Sequence, residues 1–188
     1  MPYPSQVNRA RILEEAARMI AQEGYEALSL AKLAGALGIK APSLYKHFAS
    51  KGDLLRALNA ATAQQLSHAL VKAAGAAAGE AALLAIGTAY RQFAHSQPHA
   101  YFLAYGRTPP DARPDDHFLE ALALPLEQAW AACVGAEKAL PALRGQWALA
   151  HGWVTLELEN HIRRGGDLNA TYEQVMRAYV RGWLGNAS

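Results

Sequence analysis

The sequence predicts an all-α protein of about nine helices, a small N-terminal three-helix unit followed by a larger C-terminal helical region. Three observations carry this. Apolar residues recur at spacings of three and four almost throughout, while period-two alternation is nearly absent. Gly, Pro and Ser fall where such helices need to begin and end. With 188 residues, 52% hydrophobic and 18% charged, the chain can bury a sizeable core and is not of disordered composition.

Taken in order, Ile12, Ala16, Met19 and Ile20 mark the inner face of a first helix that ends before Gly24. Ser29 is a good N-cap for a second helix with Leu30, Leu33, Ala34 and Leu37 inward, and Gly38 stops it. Pro42 suits the first turn of a third helix, held to the same core by Leu44 and Phe48. Ser50-Lys51-Gly52-Asp53 has the S-x-x-D form of a capping box and opens a fourth helix, expected to run from about 51 to 72 as a bridge. The boundary is therefore placed at 1–55 and 56–188. The Ala/Gly-rich stretch 73–82 reads as the junction to a fifth helix carrying Leu83, Ile86, Gly87, Tyr90, Phe93 and Ala94, which Pro98 ends or kinks. Residues 106–116 are loop by composition. Asp115 or Asp116 then caps a helix with Leu119, Leu122, Leu126, Trp130 and Cys133 inward and Pro125 inside it. After Pro141, the spacing of Trp147, His151, Val154, Leu158 and Ile162 predicts one long helix stopped by Gly165-Gly166. Tyr172, Val175, Met176, Tyr179, Val180, Trp183 and Leu184 mark the last.

Net charge is only +2, but its distribution is uneven. Residues 1–56 hold eight Lys/Arg against five Asp/Glu, and no acid falls between Glu26 and Asp53, where Lys32, Lys40, Lys46 and Lys51 sit. A local basic footprint suits a polyanion. With Leu44 and Phe48 turned inward, a second helix, a glycine turn and a short third helix form a helix-turn-helix whose exposed residues are Lys40, Ala41, Pro42, Ser43, Tyr45, Lys46 and His47. Such a helix fits the major groove of B-DNA. Ser43 and Tyr45 can donate to phosphate oxygens, Lys46 and Lys51 neutralise charge, Ser29 offers a hydroxyl at a helix start, and Ala41 and Pro42 suit a thymine methyl. The alternative, a partner- or membrane-surface-binding module using the same lysines, leaves their confinement to one short capped helix without a reason.

Residues 6–58 resemble the DNA-binding domain of the tetracycline-repressor family of transcription regulators. The resemblance rests on Gly24-Tyr25, Ser29-Leu30, Leu33-Ala34, Leu37-Gly38-Ile39, Ser43 through Phe48, Ser50-Lys51 and Leu54-Leu55. It implies a homodimer on a near-palindromic double-stranded operator, most commonly a repressor, released by a small-molecule effector. It assigns phosphate contacts to Ser29, Tyr45, His47 and Lys51, and groove contacts to Lys40, Ala41, Pro42, Ser43 and Lys46. Two positions depart from the family pattern: Lys40 replaces a hydroxyl residue, and Gly52 an acid. The C-terminal half is similar to one branch of the family through Tyr90, Phe93-Ala94, Pro98, Tyr101 and Trp147-x-x-x-His151-Gly152. That similarity implies an effector cavity between helices five, seven and eight, and a four-helix dimer bundle from about 141–164 and 171–184. Tyr90, Phe93, Tyr101, Tyr105, Trp130 and Trp147 are the candidate aromatic lining, and His151 a candidate hydrogen-bonding group, for an apolar or aromatic effector.

No enzyme constellation is present: no G-x-S-x-G elbow, no phosphate-binding glycine loop, no inward pair of carboxylates. His95 and His99 are interrupted by Pro98, so neither metal nor cofactor is expected. One cysteine, Cys133, allows no internal disulfide and fits a reducing compartment. Glu14, Glu15 and Arg18 interrupt the first apolar stretch and Glu80 the longest, so no signal peptide or membrane span is expected and a cytoplasmic location is.

Overall fold

The computed structural model describes residues 7–106 and 108–185. Among these are nine α-helices, one 3-10 turn and no strand: α1 (Arg9–Glu23), α2 (Leu30–Leu37), α3 (Ala41–Leu44), α4 (Lys51–Gly75), α5 (Gly79–Ser96), α6 (Pro98–Tyr105), the 3-10 turn Pro110–Ala112, α7 (Asp116–Val134), α8 (Ala136–Leu158) and α9 (Leu168–Leu184). Two compact units emerge. The first runs to Ala63 and takes back Gln97–Asp115; the second holds Gln64–Ser96 and the chain from Asp116 on. The expected boundary at 55 thus moves eight residues down α4, and α6 with its following loop joins the first unit. Arg107 of that loop lies outside the described residues.

In the first unit Ser29 caps α2 as the sequence indicates, accepting from the Lys32 N–H at 3.1 Å; α1 is capped by Asn8, which the sequence reading did not name and which accepts from the Arg11 N–H at 2.9 Å. Gly38 ends α2 in the left-handed region (φ 67°, ψ 28°), with the Ile39 N–H reaching the Ala34 carbonyl at 3.0 Å. This is the Schellman arrangement, which satisfies the last carbonyls of the helix. Ser50 accepts from the Asp53 N–H at 3.0 Å, while the Asp53 carboxylate reaches one residue further back than a standard capping box, to the Ala49 N–H at 3.0 Å. Ile12, Ala16, Leu28, Leu33, Leu44, Phe48 and Leu54 form the buried centre, joined by Leu103 of α6 and by Ala112.

In the second unit α5, α7, α8, α9 and the end of α4 surround Leu70, Leu83, Ile86, Trp130, Val154, Met176 and Val180. Gly87 matters here: a Cβ at that position would lie 2.8 Å from the Met176 side chain, so α5 and α9 approach closely because it has none. The Tyr172 hydroxyl donates to the Gly87 carbonyl at 2.7 Å in the same place. Leu119, Leu122 and Cys133 are half-buried rather than fully inward, while Leu126, Trp130 and Val134 are buried.

Several boundaries differ from expectation. Pro98 does separate α5 from α6, but α4 runs to Gly75 and α5 starts at Gly79, leaving a junction of three alanines. Pro141 lies inside α8, exposed to solvent in its second turn, where a missing N–H removes one bond without ending the helix. That helix stops at Leu158, before Ile162 and the Gly165-Gly166 pair. The cause is Asn160, which takes φ 55° and lets the His161 N–H bond the Leu156 carbonyl at 2.8 Å, a second Schellman ending. The last helix begins at Leu168 rather than near 171, because the Asp167 carboxylate accepts from the N–H groups of Asn169 and Ala170 at 2.8 and 3.1 Å. No helix among the described residues is long and apolar enough to cross a membrane, and none of their His, Cys, Asp and Glu side chains cluster as a metal site would need.

Candidate nucleic-acid interface and effector cavity

The third helix is a single turn. Its first residues follow Lys40, whose side chain makes no capping hydrogen bond, and its backbone is held by the Ser43 N–H on the Lys40 carbonyl at 2.8 Å. Beyond Leu44 the chain continues as a turn in which the Phe48 N–H still bonds the Leu44 carbonyl at 3.0 Å. Leu44 and Phe48 are each 1% exposed, and burying two such side chains stabilises the turn by about 2–3 kcal/mol apiece. Between these anchors Tyr45 is 56% exposed, a large aromatic left in solvent, and Pro42 and Lys46 are exposed with it. Lys40 is exposed at the head of the turn, while Ala41, Ser43 and His47 are half-buried.

Of the remaining candidates, Ser29 is exposed at the start of α2; its oxygen caps the helix, which leaves its O–H to donate elsewhere. Lys51 is half-buried and its ammonium sits 3.4 Å from the Tyr25 carbonyl. Lys32, part of the basic stretch, is occupied by Glu23 at 2.8 Å. The sequence did not single out Arg9. Its guanidinium lies 4.2 Å over the Phe48 ring and donates to the His47 carbonyl at 2.7 Å, so a fourth cation stands beside the turn. Only the fold brings these residues together, since 38 positions separate them in the chain.

In the second unit Tyr90, Trp147 and His151 are brought together. The Tyr90 and Trp147 rings meet edge to face at 5.0 Å, and the Tyr90 hydroxyl lies 3.5 Å from His151 Nδ1. Burial pushes the His151 imidazole below its ordinary pKa, so it is neutral at pH 7. Trp130 is fully buried in the same unit and Phe93 nearly so. Tyr101 and Tyr105 belong instead to the first unit, on α6, their rings 5.5 Å apart. Burial raises the Tyr105 phenol well above its usual range.

A cavity does lie among α5, α7 and α8, bounded by Ile86, Tyr90, Leu126, Leu143, Gln146 and Trp147, but its volume is about 10 Å³. That is room for one water at most. Gln146, missed in the sequence because nothing in its neighbours marks a buried amide, is 2% exposed. It accepts from Trp130 Nε1 at 2.9 Å and donates to the Leu83 carbonyl at 2.6 Å, pinning three helices at the cavity wall. None of the residues lining this space carries a charge.

A second, polar cleft of about 440 Å³ runs along α5 and α9, lined by Thr88, Arg91, Gln92, His95, Asn169 and Tyr172. Glu157 of α8 is the buried charge beside it, its side chain 4% exposed. It takes both arms of Arg91 at 2.7 Å and His95 Nε2 at 3.0 Å. Burial alone would raise the Glu157 carboxyl, but these hydrogen bonds more than offset it and hold the group below the ordinary carboxylate range.

Comparison with known proteins agrees with this architecture. The family profile described as "Bacterial regulatory proteins, tetR family" matches residues 12–58, and "Tetracyclin repressor-like, C-terminal domain" matches residues 83–179. The HTH-type transcriptional regulator Rv0681 of Mycobacterium tuberculosis is 30% identical over 160 residues, covering 82% of this chain and 72% of the relative. The HTH-type transcriptional repressor ComR of Escherichia coli is 46% identical over 55 residues, 29% of this chain and 26% of ComR. Among solved structures, the regulatory protein SCO4313 superposes with a TM-score of 0.77 at 27% identity over 97% of both chains. A TetR variant of Acinetobacter baumannii, solved in complex with minocycline, shares the fold with a TM-score of 0.71 at 19% identity over 97% of this chain and 99% of that one. The chain belongs to the tetracycline-repressor family of bacterial transcription regulators.

Proposed function

We propose that this regulator is a repressor that binds a near-palindromic operator as a homodimer and is released by a small, uncharged apolar or aromatic effector. The observation that carries the operator reading is the turn between the two buried anchors, which leaves Tyr45 56% exposed with Lys46 beside it. An outward lysine is ordinary, but a tyrosine left 56% exposed between two buried anchors has no packing role of its own. A DNA reader does, because a phosphate contact needs a donor whose position is fixed by the fold. Lys40, Ala41, Pro42, Ser43 and Lys46 face the groove in this reading, and Ser29, Tyr45, His47 and Lys51 the phosphates, with Arg9 added to them. Lys51 exchanges its contact with the Tyr25 carbonyl for a phosphate.

The effector reading is supported by the chemistry around the small cavity. Its walls are apolar and aromatic, His151 is neutral, and Gln146, the Tyr90 hydroxyl and His151 supply a few hydrogen-bonding groups, the pattern of a site for an uncharged molecule. A ligand of ordinary size enters only if α5, α7 and α8 part. Pairing through α8 and α9 is supported by the exposed stripe Ala148, Gly152 and Leu156 on α8, four residues apart, in which the first two are small enough for helices to approach closely and Leu156 is a large apolar side chain left in solvent. The expected interface elements are Ala136–Leu158 and Leu168–Leu184.

Nuclease footprinting on the DNA flanking the gene tests the operator reading, with two protected half-sites expected. For eight to ten phosphate contacts, affinity falls roughly ten-thousand-fold between 50 and 200 mM salt. Absence of protection, or protection insensitive to salt, refutes it. Repeating the footprint with uncharged aromatic compounds tests release.

A further inference from the structure

We propose that Asp111, in the connection between α6 and α7, is a positioning residue for the recognition turn, because its carboxylate serves as an acid at the head of α4. Gly52 is the second residue of α4 and is buried; a Cβ there would collide with the Asp111 carboxylate. The glycine is what lets the acid lie against the first turn. Three positions on one face of α4, at spacings of four and three, are given over to this loop. Gly52 admits the carboxylate, Arg56 donates to the Asp111 carbonyl at 3.1 and 2.7 Å through Nε and Nη2, and Asn59 donates to the Ala112 carbonyl at 2.8 Å.

Asn59 is 1% exposed, and its Oδ1 is buried without a hydrogen-bond partner among the described residues. An unpaired buried carbonyl is unfavourable, but an apolar residue there would also leave the Ala112 carbonyl without its donor. The amide's one hydrogen bond is spent on gripping the loop. The electrostatics point the same way. The acid of the first turn, Asp53, is turned back onto the Ala49 N–H, and the Asp111 carboxylate, lying against Gly52, brings a second negative charge to the N-terminal end of α4. Ala49 and Ser50 connect α4 directly to Phe48, the rear anchor of the recognition turn. The position of the turn Pro110–Ala112 thereby bears on that of the DNA-reading residues within the same unit. This inference rests on the operator-binding reading above.

The test is operator affinity of the full chain, measured by fluorescence anisotropy on the footprinted duplex. Asp111→Ala and Asp111→Asn should each weaken binding about three- to fivefold, since charge at a helix N-terminus and not shape is removed. Gly52→Asp alone sets two carboxylates against each other and should weaken it further. The double variant Gly52→Asp/Asp111→Gly carries the acid on α4 itself and should return to within about twofold of wild type. A residue that merely fills the loop would leave Asp111→Asn unchanged and give no rescue, and either result overturns the proposal. Should Gly52→Asp fail to fold, amide hydrogen exchange decides the matter without DNA. In Asp111→Asn, exchange over residues 51–55 should quicken about threefold, and unaltered exchange overturns the assignment. If wild type binds no DNA at all, the operator reading fails while this exchange result still stands on its own.

Discussion

Replacing Arg91 by methionine removes the two hydrogen bonds, both 2.7 Å, that bind the Glu157 carboxylate to a guanidinium, while the contact with His95 at 3.0 Å remains. The carboxylate side chain is 4% exposed and the guanidinium 19%, so the variant strands a charge where solvent barely reaches. Breaking a fully buried pair costs about 3–5 kcal/mol, and partial access of Arg91 to water reduces this to about 2–3 kcal/mol. For a chain of 188 residues that lowers the melting temperature by roughly 5–10 °C. The pH dependence is more telling than the size. In wild type the folded-state pKa of Glu157 is lowered from 4.5, so its stabilisation is present above the unfolded value and is lost as pH falls through the folded one. Without Arg91, burial is opposed by fewer hydrogen bonds, so the folded pKa moves up from its wild-type position and the stabilisation present above the unfolded value shrinks. The deficit of Arg91→Met relative to wild type is therefore greatest near pH 7 and shrinks toward pH 4. Adding Glu157→Gln should recover part of it at neutral pH. Urea unfolding at pH 7, 5.5 and 4, followed by helical circular dichroism, measures all three quantities. A deficit that is the same at each pH refutes the reasoning, whatever its magnitude.

Phe48→Ala removes the rear anchor of the recognition turn and should destabilise the first unit by about 3–4 kcal/mol and abolish footprint protection, read by unfolding and by the operator assay. Gln146→Leu leaves the Trp130 N–H unpaired in the core and takes from the Leu83 carbonyl its second donor; a loss of about 2 kcal/mol is expected in denaturant melts. Gly87→Ala forces a methyl group against Met176 and should cost about 1–3 kcal/mol, with Met176→Ala in the same chain relieving part of it.

The first 58 residues were legible because each of their signals is local. Ser29, Gly38, Pro42 and Ser50 act within four residues of themselves, and Leu44 and Phe48 share a face by simple helical spacing. In α7 the start at Asp116 and the inward Leu126 and Trp130 were legible in the same way, though Leu119, Leu122 and Cys133 are only half-buried. Where a signal depends on conformation rather than residue type, the reading slipped. Asn160 in a left-handed turn ends α8 seven residues before the glycine pair that composition offers as the stop, since a non-glycine residue there is uncommon. The affiliation of α6 with the first unit rests on Leu103 and Ala112 packing against residues fifty positions earlier, which no window along the chain can contain. Arg9, Gln146 and the Glu157 network escaped for the same reason. Each is defined by partners at separations of 16 to 78 residues, and each looks locally like an ordinary surface or helix residue.

If the effector proposed above enters at Trp147, the tightness of the cavity has a practical corollary for inducer searches. Rigid docking into this shape would then discard every compound large enough to matter, however well it binds parted helices. On the proposed reading, measured affinities will also understate intrinsic ones by the fraction of molecules open at any instant, so a substitution that loosens the cavity wall, such as Leu143→Ala, should strengthen the response to a weak inducer.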